Sequence, residues 1–352
     1  MLNINISVIM SVYNEKIEYF YNAVKSICNQ NHKEWELIII NDGDKKNNLT
    51  YKKCLKNFDD KRIIYIFNEV NKGISSCLNQ AIKISKGKYI ARMDADDISL
   101  PSRLKNQFDY MEKHRNINIL GTYAISFGDI NEYLIDYNNY TKRYRQVLLL
   151  FQNSGLIHPT SMIRKSFLNK YDIQYDEYFR NAQDYRLWVE CIKYTAIKVL
   201  PKIELLYRRH YNQSSASGKK IQNQYRDEIR LLQLKKLGIK LSEENKNIFL
   251  SFCNNNINIK ELPKLNELCK LIISNNIKHK YYNAHILKGM LYSKCLLIVF
   301  KQRKTLSKLE LVNYIYYYMC WNSISIYLYN KSIFFYNKIR KKKIKRNYDK
   351  YE

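Results

Sequence analysis

No Cys-x-x-Cys pair occurs among the eight cysteines of this 352-residue chain, and no charged-then-apolar leader opens it. Scattered thiols and a missing leader point to a reduced, cytoplasmic protein, long enough to build a core without disulfides. Glycine-rich phosphate loops are absent too. Neither a G-x-G-x-x-G turn nor a P-loop is present, and the first apolar run, Ile6 to Met10, passes into Ser11-Val12-Tyr13-Asn14-Glu15 without a glycine. That excludes a dinucleotide-binding oxidoreductase. A membrane span is also missing. The twenty uncharged residues from Leu311 to Asn330 include Asn313, Asn322, Ser323, Ser325 and Asn330, too polar for a bilayer core and better suited to its interface.

Acidic charge is scarce toward the carboxyl end. The formal net charge is +28, and residues 213–352 hold 28 Lys+Arg against 9 Asp+Glu, which is +19 and leaves +9 for the rest. The chain therefore reads as two regions, 1–217 and 218–352, the second helical and basic. Lys338 to Arg346 places seven basic residues in nine. The expectation is that this end lies on the anionic cytoplasmic leaflet of a membrane, the competing reading being a helical domain with a solvated basic tail. A nucleic-acid-binding protein also suits the charge and the aromatics. No motif supports it and the basic run stands apart from the crevice described next, so no nucleic-acid partner is expected.

What the chain does have is regular apolar patterning. Ile6 to Met10, Trp35 to Ile40, Arg62 to Phe67 and Tyr89 to Met93 read as strands, the second continuous enough for a buried parallel strand. Between them, Ile17 to Cys28, Leu49 to Phe58 and Gly73 to Ser85 read as helices; Ile74, Cys77, Leu78, Ala81 and Ile82 share one face. Alternation of this kind gives an α/β fold, an open, mostly parallel sheet with helices on both faces. Ligands of such sheets sit beyond the carboxyl ends of the strands, where Tyr13, Asp42 and Asp94 with Asp96 all fall.

The last of these strand ends is the most telling. Asp94, Asp96 and Asp97 directly follow a short apolar strand, and three adjacent carboxylates repel one another unless a cation neutralises them. Asp-x-Asp offers hard oxygens suited to Mg²⁺ or Mn²⁺, and a plain solvated acidic turn before Pro101 is the alternative.

With those residues in view, the chain resembles the inverting family 2 nucleotide-sugar glycosyltransferases of GT-A fold. The likeness covers roughly Ile6 to Ser217 and rests on S-V-I-M-S-V-Y-N-E, E-L-I-I-I-N-D-G, N-K-G-I-S-S-C-L-N-Q-A-I, G-K-Y-I-A-R-M-D-A-D-D, H-P-T, Q-D-Y-R-L-W and Y-R-R-H-Y-N-Q-S-S, in the family's order. The combination A-R-M-D-A-D-D with the late Y-R-R-H looks most like bacterial lipooligosaccharide or capsule β-1,3-galactosyl- and N-acetylgalactosaminyltransferases. The resemblance implies a metal-dependent transfer of Gal or GalNAc from a UDP-sugar to a hydroxyl of a surface glycan, possibly lipid-linked, at the cytoplasmic face of the inner membrane. A nucleotidyltransferase on a related fold is the remaining enzyme alternative.

The resemblance also implies site residues. Ser11, Tyr13, Glu15, Asp42, Lys72, Arg92, Asp94, Ala95 and Asp96 would line the nucleotide-sugar, with Tyr13 flanking the uracil, Asp42 accepting its N–H and Lys72 near the diphosphate at a helix start. Asp96 would hold the metal, Asp94 the metal or ribose, and His210 a place near metal or diphosphate beside Arg208. Asp184 would be the general base; Gln183 stands where relatives carry a first acid, and losing that like charge makes Asp184 a somewhat weaker base. The alternative is that Asp184 merely caps its helix, a role compatible with catalysis. His158, Tyr185 and Trp188 would contact the acceptor, Trp188 being as well suited to the core.

Overall fold

The structure, a computed structural model, describes residues 3–129, 133–135, 140–151, 156–210 and 218–319. Ile6–Val12 (β1) sits in the middle of a parallel group, so both its faces are covered and every side chain except Ser11 is buried. Trp35–Asn41 (β2) is buried throughout. β1 pairs in parallel with β2 on one side (Ile6 opposite Trp35, Val12 opposite Asn41) and with Tyr89–Arg92 (β4) on the other. Ile63–Phe67 (β3) continues the group beyond β2.

The intervening helices follow the apolar periodicity. Ile17–Cys28 (α1) buries Phe20, Ala23, Val24 and Ile27, an i, i+3, i+4, i+7 stripe. Asn48–Lys56 (α2) and Ile74–Ile84 (α3) complete the crossovers. Each fully buried Ile, Leu or Phe in this core contributes about 1.5–3 kcal/mol. Gly87, between α3 and β4, is required by close approach: a Cβ there would stand 2.5 Å from the Ser7 backbone nitrogen and 2.8 Å from the Ile6 carbonyl carbon.

Past β4 the sheet becomes mixed. Its order among the described residues is β3-β2-β1-β4-β8-β6-β9-β5, with β7 paired to β6. Here β5 is Ile98–Ser99, β6 Ile119–Gly128, β7 Tyr133–Ile135, β8 Met162–Arg164 and β9 Ile197–Arg209. β8 runs antiparallel to β4 and β6, while β9 runs parallel to β6 and antiparallel to β5. The α/β expectation holds, and parallel pairing dominates only in the first half. Three further helices flank these strands or lie between them in sequence: Arg103–Lys113 (α4), Lys165–Lys170 (α6) and Gln183–Cys191 (α7).

By contacts the chain divides into one unit of residues 1–140 with 154–222 and another of 141–153 with the residues from Asn223 on. The second unit is helical, as expected of the carboxyl-terminal region. Lys142–Phe151 (α5) belongs to it, with Lys219–Lys235 (α8, in its later part), Glu243–Cys253 (α9), Leu262–His279 (α10), Ala284–Lys301 (α11) and Lys308–Tyr318 (α12). Within that unit Gln233 Nε2 donates to the Leu149 carbonyl at 3.1 Å and Arg230 Nη2 to that of Phe151 at 3.1 Å, satisfying the open end of α5. The uncharged stretch beyond Met319 and the basic run from Lys338 to Arg346 lie outside the described residues.

Candidate functional site

The crevice forms where β1, β2 and β4 stop. After β1 the chain turns outward, and Tyr13 is exposed at the rim. Asn14 takes a left-handed φ of 50° and donates its N–H to Asp44 Oδ2 at 2.8 Å, which turns Glu15 inward. At the end of β2, Asp42 is buried, and its two carboxylate oxygens accept the backbone N–H groups of Lys72 (2.7 Å) and Gly73 (3.0 Å). Asp42 is thus the anion at the start of α3. Lys72 itself is exposed there.

The acid turn follows β4. Ligand-capable oxygens of Asp94, Asp96 and Asp97 lie within 4.8 Å of one another, and so do the ligand atoms of Glu15, Asp96 and His210. Asp96 belongs to both groups. Burial and the Asp94 charge hold the Asp96 carboxyl above the usual carboxylate range, and burial followed by Asp96 and Asp94 pushes Asp97 well above it. Glu15 is raised to about 7 by burial and then by Asp96.

Strand β9 and the residue after it bring Arg208 and His210. Because Ile98 and Ser99 pair with Leu206 and Leu205, the end of β9 passes over the acid turn. The Arg208 backbone N–H donates to Asp97 Oδ1 at 2.8 Å, its Nε donates to the Asp96 carbonyl at 2.7 Å, and its guanidinium lies 4.0 Å from the Tyr19 ring centre and 4.4 Å from that of Phe127. His210 Nε2 is 3.2 Å from Asp96 Oδ2. Ala95 is buried in the turn.

These residues suit a divalent cation. Asp97 Oδ2 is buried with no hydrogen-bond partner among the described residues, and hard carboxylate oxygens plus an imidazole are donors that Mn²⁺ or Mg²⁺ accept. Asp96, common to both groups, would hold it with Asp94 and Asp97 or with Glu15 and His210.

Behind the turn is a buried basic cluster. Arg92 is 2% exposed; one of its amino groups pairs with Asp94, while its Nε and Nη1 have no partner among the described residues. Arg103, fully buried, donates to the Arg92 carbonyl at 2.7 Å, and burial lowers it to about 10, still charged at neutral pH. His158 Nε2 and the Tyr175 hydroxyl are 2.7 Å apart. Burial, then the Arg92 charge, holds His158 well below the usual imidazole range. Burial raises the Tyr175 phenol, with Arg92 opposing the rise and Asp184 and Asp94 adding to it.

Asp184 is the second residue of α7. The helix is capped by Ala182, without a side-chain hydrogen bond, and Asp184 Oδ1 accepts the N–H of Tyr185 at 2.7 Å. It is not the cap. His158, Tyr185 and Trp188 are all buried, and the His158 and Trp188 rings meet edge to face at 6.1 Å. The structure therefore packs the three expected acceptor contacts inside the fold. Sequence reasoning passed over Tyr19, Phe127, Arg103 and Tyr175, which carry no motif, and left Asp97 without a role although it adjoins the D-x-D pair.

Residues 7–172 match the family described as Glycosyl transferase family 2. An uncharacterized glycosyltransferase of Haemophilus influenzae is 30% identical over 259 residues, 68% of this chain and 77% of that protein. One from Methanocaldococcus jannaschii is 37% identical over 190 residues, 53% of this chain, and the match spans 64% of its length, under two thirds. The Escherichia coli UDP-Glc:alpha-D-GlcNAc-diphosphoundecaprenol beta-1,3-glucosyltransferase WfgD is 29% identical over 216 residues, 61% of this chain and 80% of that protein. Among solved structures, S. aureus TarS 1-349 in complex with UDP-GlcNAc superposes with a TM-score of 0.57 at 18% identity, covering 88% of this chain and 89% of that one, a likeness of fold.

Proposed function

The chain belongs to glycosyl transferase family 2, and on that premise we propose that it is a metal-dependent inverting enzyme moving a hexose or N-acetylhexosamine from a UDP-sugar to a glycan hydroxyl. The observation that carries this is the acid turn after β4, with Arg208 and His210 laid over it by the β5–β9 pairing. Transfer breaks the bond between sugar C1 and the diphosphate oxygen while the acceptor oxygen bonds to C1 from the opposite face. Asp94 and Asp96 would hold a divalent cation, which would supply Lewis-acid stabilisation of the departing diphosphate. Arg208, held in place between Tyr19 and Phe127, adds fixed positive charge at the same point. Asp184 takes the acceptor proton as its oxygen attacks. Tyr13, exposed at the rim, would cover the base, with Ser11 and Lys72 as further contacts to the nucleotide-sugar.

Donor and acceptor are narrower proposals. The motif likeness favours Gal or GalNAc; the E. coli relative is named for a UDP-glucose donor and an acceptor on diphosphoundecaprenol, which supports a lipid-linked glycan acceptor here. UDP release across UDP-galactose, UDP-GalNAc, UDP-glucose and UDP-GlcNAc, with Mn²⁺ against EDTA, is the test. One donor should turn over with metal, and Asp184→Asn should lower the rate about 10²–10⁴-fold while UDP still binds. Failure of UDP to bind with metal present would sink the proposal.

A further inference from the structure

Helix α12 turns an apolar side outward. Leu309, Val312 and Tyr316 are 72%, 61% and 86% exposed, and Met319, just past its end, is 55% exposed. Spacings of i, i+3, i+7 and i+10 place these on one helix face. The other side is anchored: Tyr318 is fully buried, its ring edge-on to Tyr292 of α11 with centres 5.5 Å apart. A capping box made by Ser307 and Glu310 fixes the start of the helix, so the face belongs to a formed element.

Charge on the described residues complements one kind of partner. Lys301 at the end of α11, Arg303 and Lys304 in the turn that follows, and Lys308 at the start of α12 are all exposed. Across residues 301–318 Glu310 is the single acid, and its carboxylate is taken by Ser307. An apolar stripe beside a cluster of cations is the pattern of a helix that lies in the plane of a membrane interface. No described helix is long and apolar enough to cross a membrane. A solvated helical face would carry polar residues at these positions, and a nucleic-acid surface would not need a row of Leu, Val and Met.

We propose that α12 and the basic turn before it dock on an anionic lipid bilayer. Leu309, Val312, Tyr316 and Met319 enter the boundary between headgroups and acyl chains, and Lys301, Arg303, Lys304 and Lys308 meet the acidic headgroups. The proposal is independent of the identity of the sugar donor.

Flotation of the full-length chain with vesicles tests it, comparing phosphatidylcholine alone with phosphatidylcholine containing about a third phosphatidylglycerol. Recovery should require the anionic lipid and fall at high salt. The double substitution Val312→Asn and Tyr316→Asn should lower the partition coefficient about tenfold or more. Replacing Lys301, Arg303 and Lys304 by Gln should lower it roughly fivefold per charge. Thermal midpoints of all variants are compared with wild type, and Leu309→Asn alone serves if the double variant fails to fold. Four outcomes overturn the proposal: unchanged binding by the face variants, equal recovery with neutral vesicles, a drop in oligomeric mass as the main effect of those variants, or duplex RNA binding with the same sensitivity to them.

Discussion

Asp42 shows how one side chain can be legible in kind and not in partner. Its position at the end of β2 follows from the apolar run before it, and a carboxylate beside a glycine suggests a ligand contact. In the fold both its oxygens accept N–H groups at the start of α3, so its first task is to hold Lys72 and Gly73 against the crevice. His158 is similar: chosen as an acceptor contact, it is buried against Tyr175. A consequence in pH follows. Its pKa in the fold lies well below the 6.5 of an unfolded chain because burial and Arg92 disfavour the charged ring. Below pH 6.5 the unfolded state therefore binds the extra proton, and stability falls as pH drops toward the folded value, by at most about 1.4 kcal/mol per pH unit. His158→Gln, which keeps a hydrogen-bonding group and cannot titrate, should flatten this dependence in urea titrations between roughly pH 6.5 and 5. A slope identical to wild type would place the titrating group elsewhere.

At the scale of elements, what was readable is what is local. Helix periodicity in α1 and α3 and the continuous apolar runs of β1, β2 and β4 are written in neighbouring residues, and the acid turn comes directly after the last of them. What was not readable depends on pairing across long sequence separations. Two residues, Ile98 and Ser99, carry no strand signal of their own, and only their pairing with β9 sets Arg208 and His210 over Asp96. The burial of Tyr185 was likewise hidden, while the core reading of Trp188 was already open in the sequence, since α7 shows an apolar face whichever neighbour covers it. Gly87 belongs to this level. Ser7 Oγ accepts the Gly87 N–H at 2.8 Å and donates to Glu36 Oε1 at 2.6 Å, which also accepts the Lys86 N–H at 2.6 Å, so α3, β1, β2 and β4 are stitched at one point. An added methyl would meet backbone rather than a flexible side chain. Gly87→Ala should destabilise the fold by about 1–3 kcal/mol in chemical denaturation, through overpacking. Wild-type stability would mean that β1 and β4 can part without cost.

For the whole molecule, the acid turn is a liability unless something positive binds it. Asp94, Asp96 and Asp97 are crowded, two of them are pushed upward by burial and mutual repulsion, and Glu15 adds a fourth carboxyl. The three arginines nearby neutralise the turn in part: Arg92 pairs with Asp94, while Arg103 donates to the Arg92 carbonyl and Arg208 to backbone, stacked on rings. A cation that binds only the assembled turn stabilises the folded chain by mass action. Mn²⁺ at a hundred times its dissociation constant should add about 2.7 kcal/mol. For a unit of this size that is a rise of several degrees in the melting temperature, on the order of 2–4 °C per kcal/mol. EDTA should reverse the rise. Asp96→Asn should abolish it, because Asp96 is common to both ligand groups, while Asp184→Asn should leave it intact, because that residue acts on the acceptor. Calorimetry with and without metal separates these cases without any need for a sugar donor. A melting curve that neither Mn²⁺ nor Mg²⁺ moves would leave the acid turn to Arg208 and His210 alone, and with it would go the metal-assisted departure of the diphosphate.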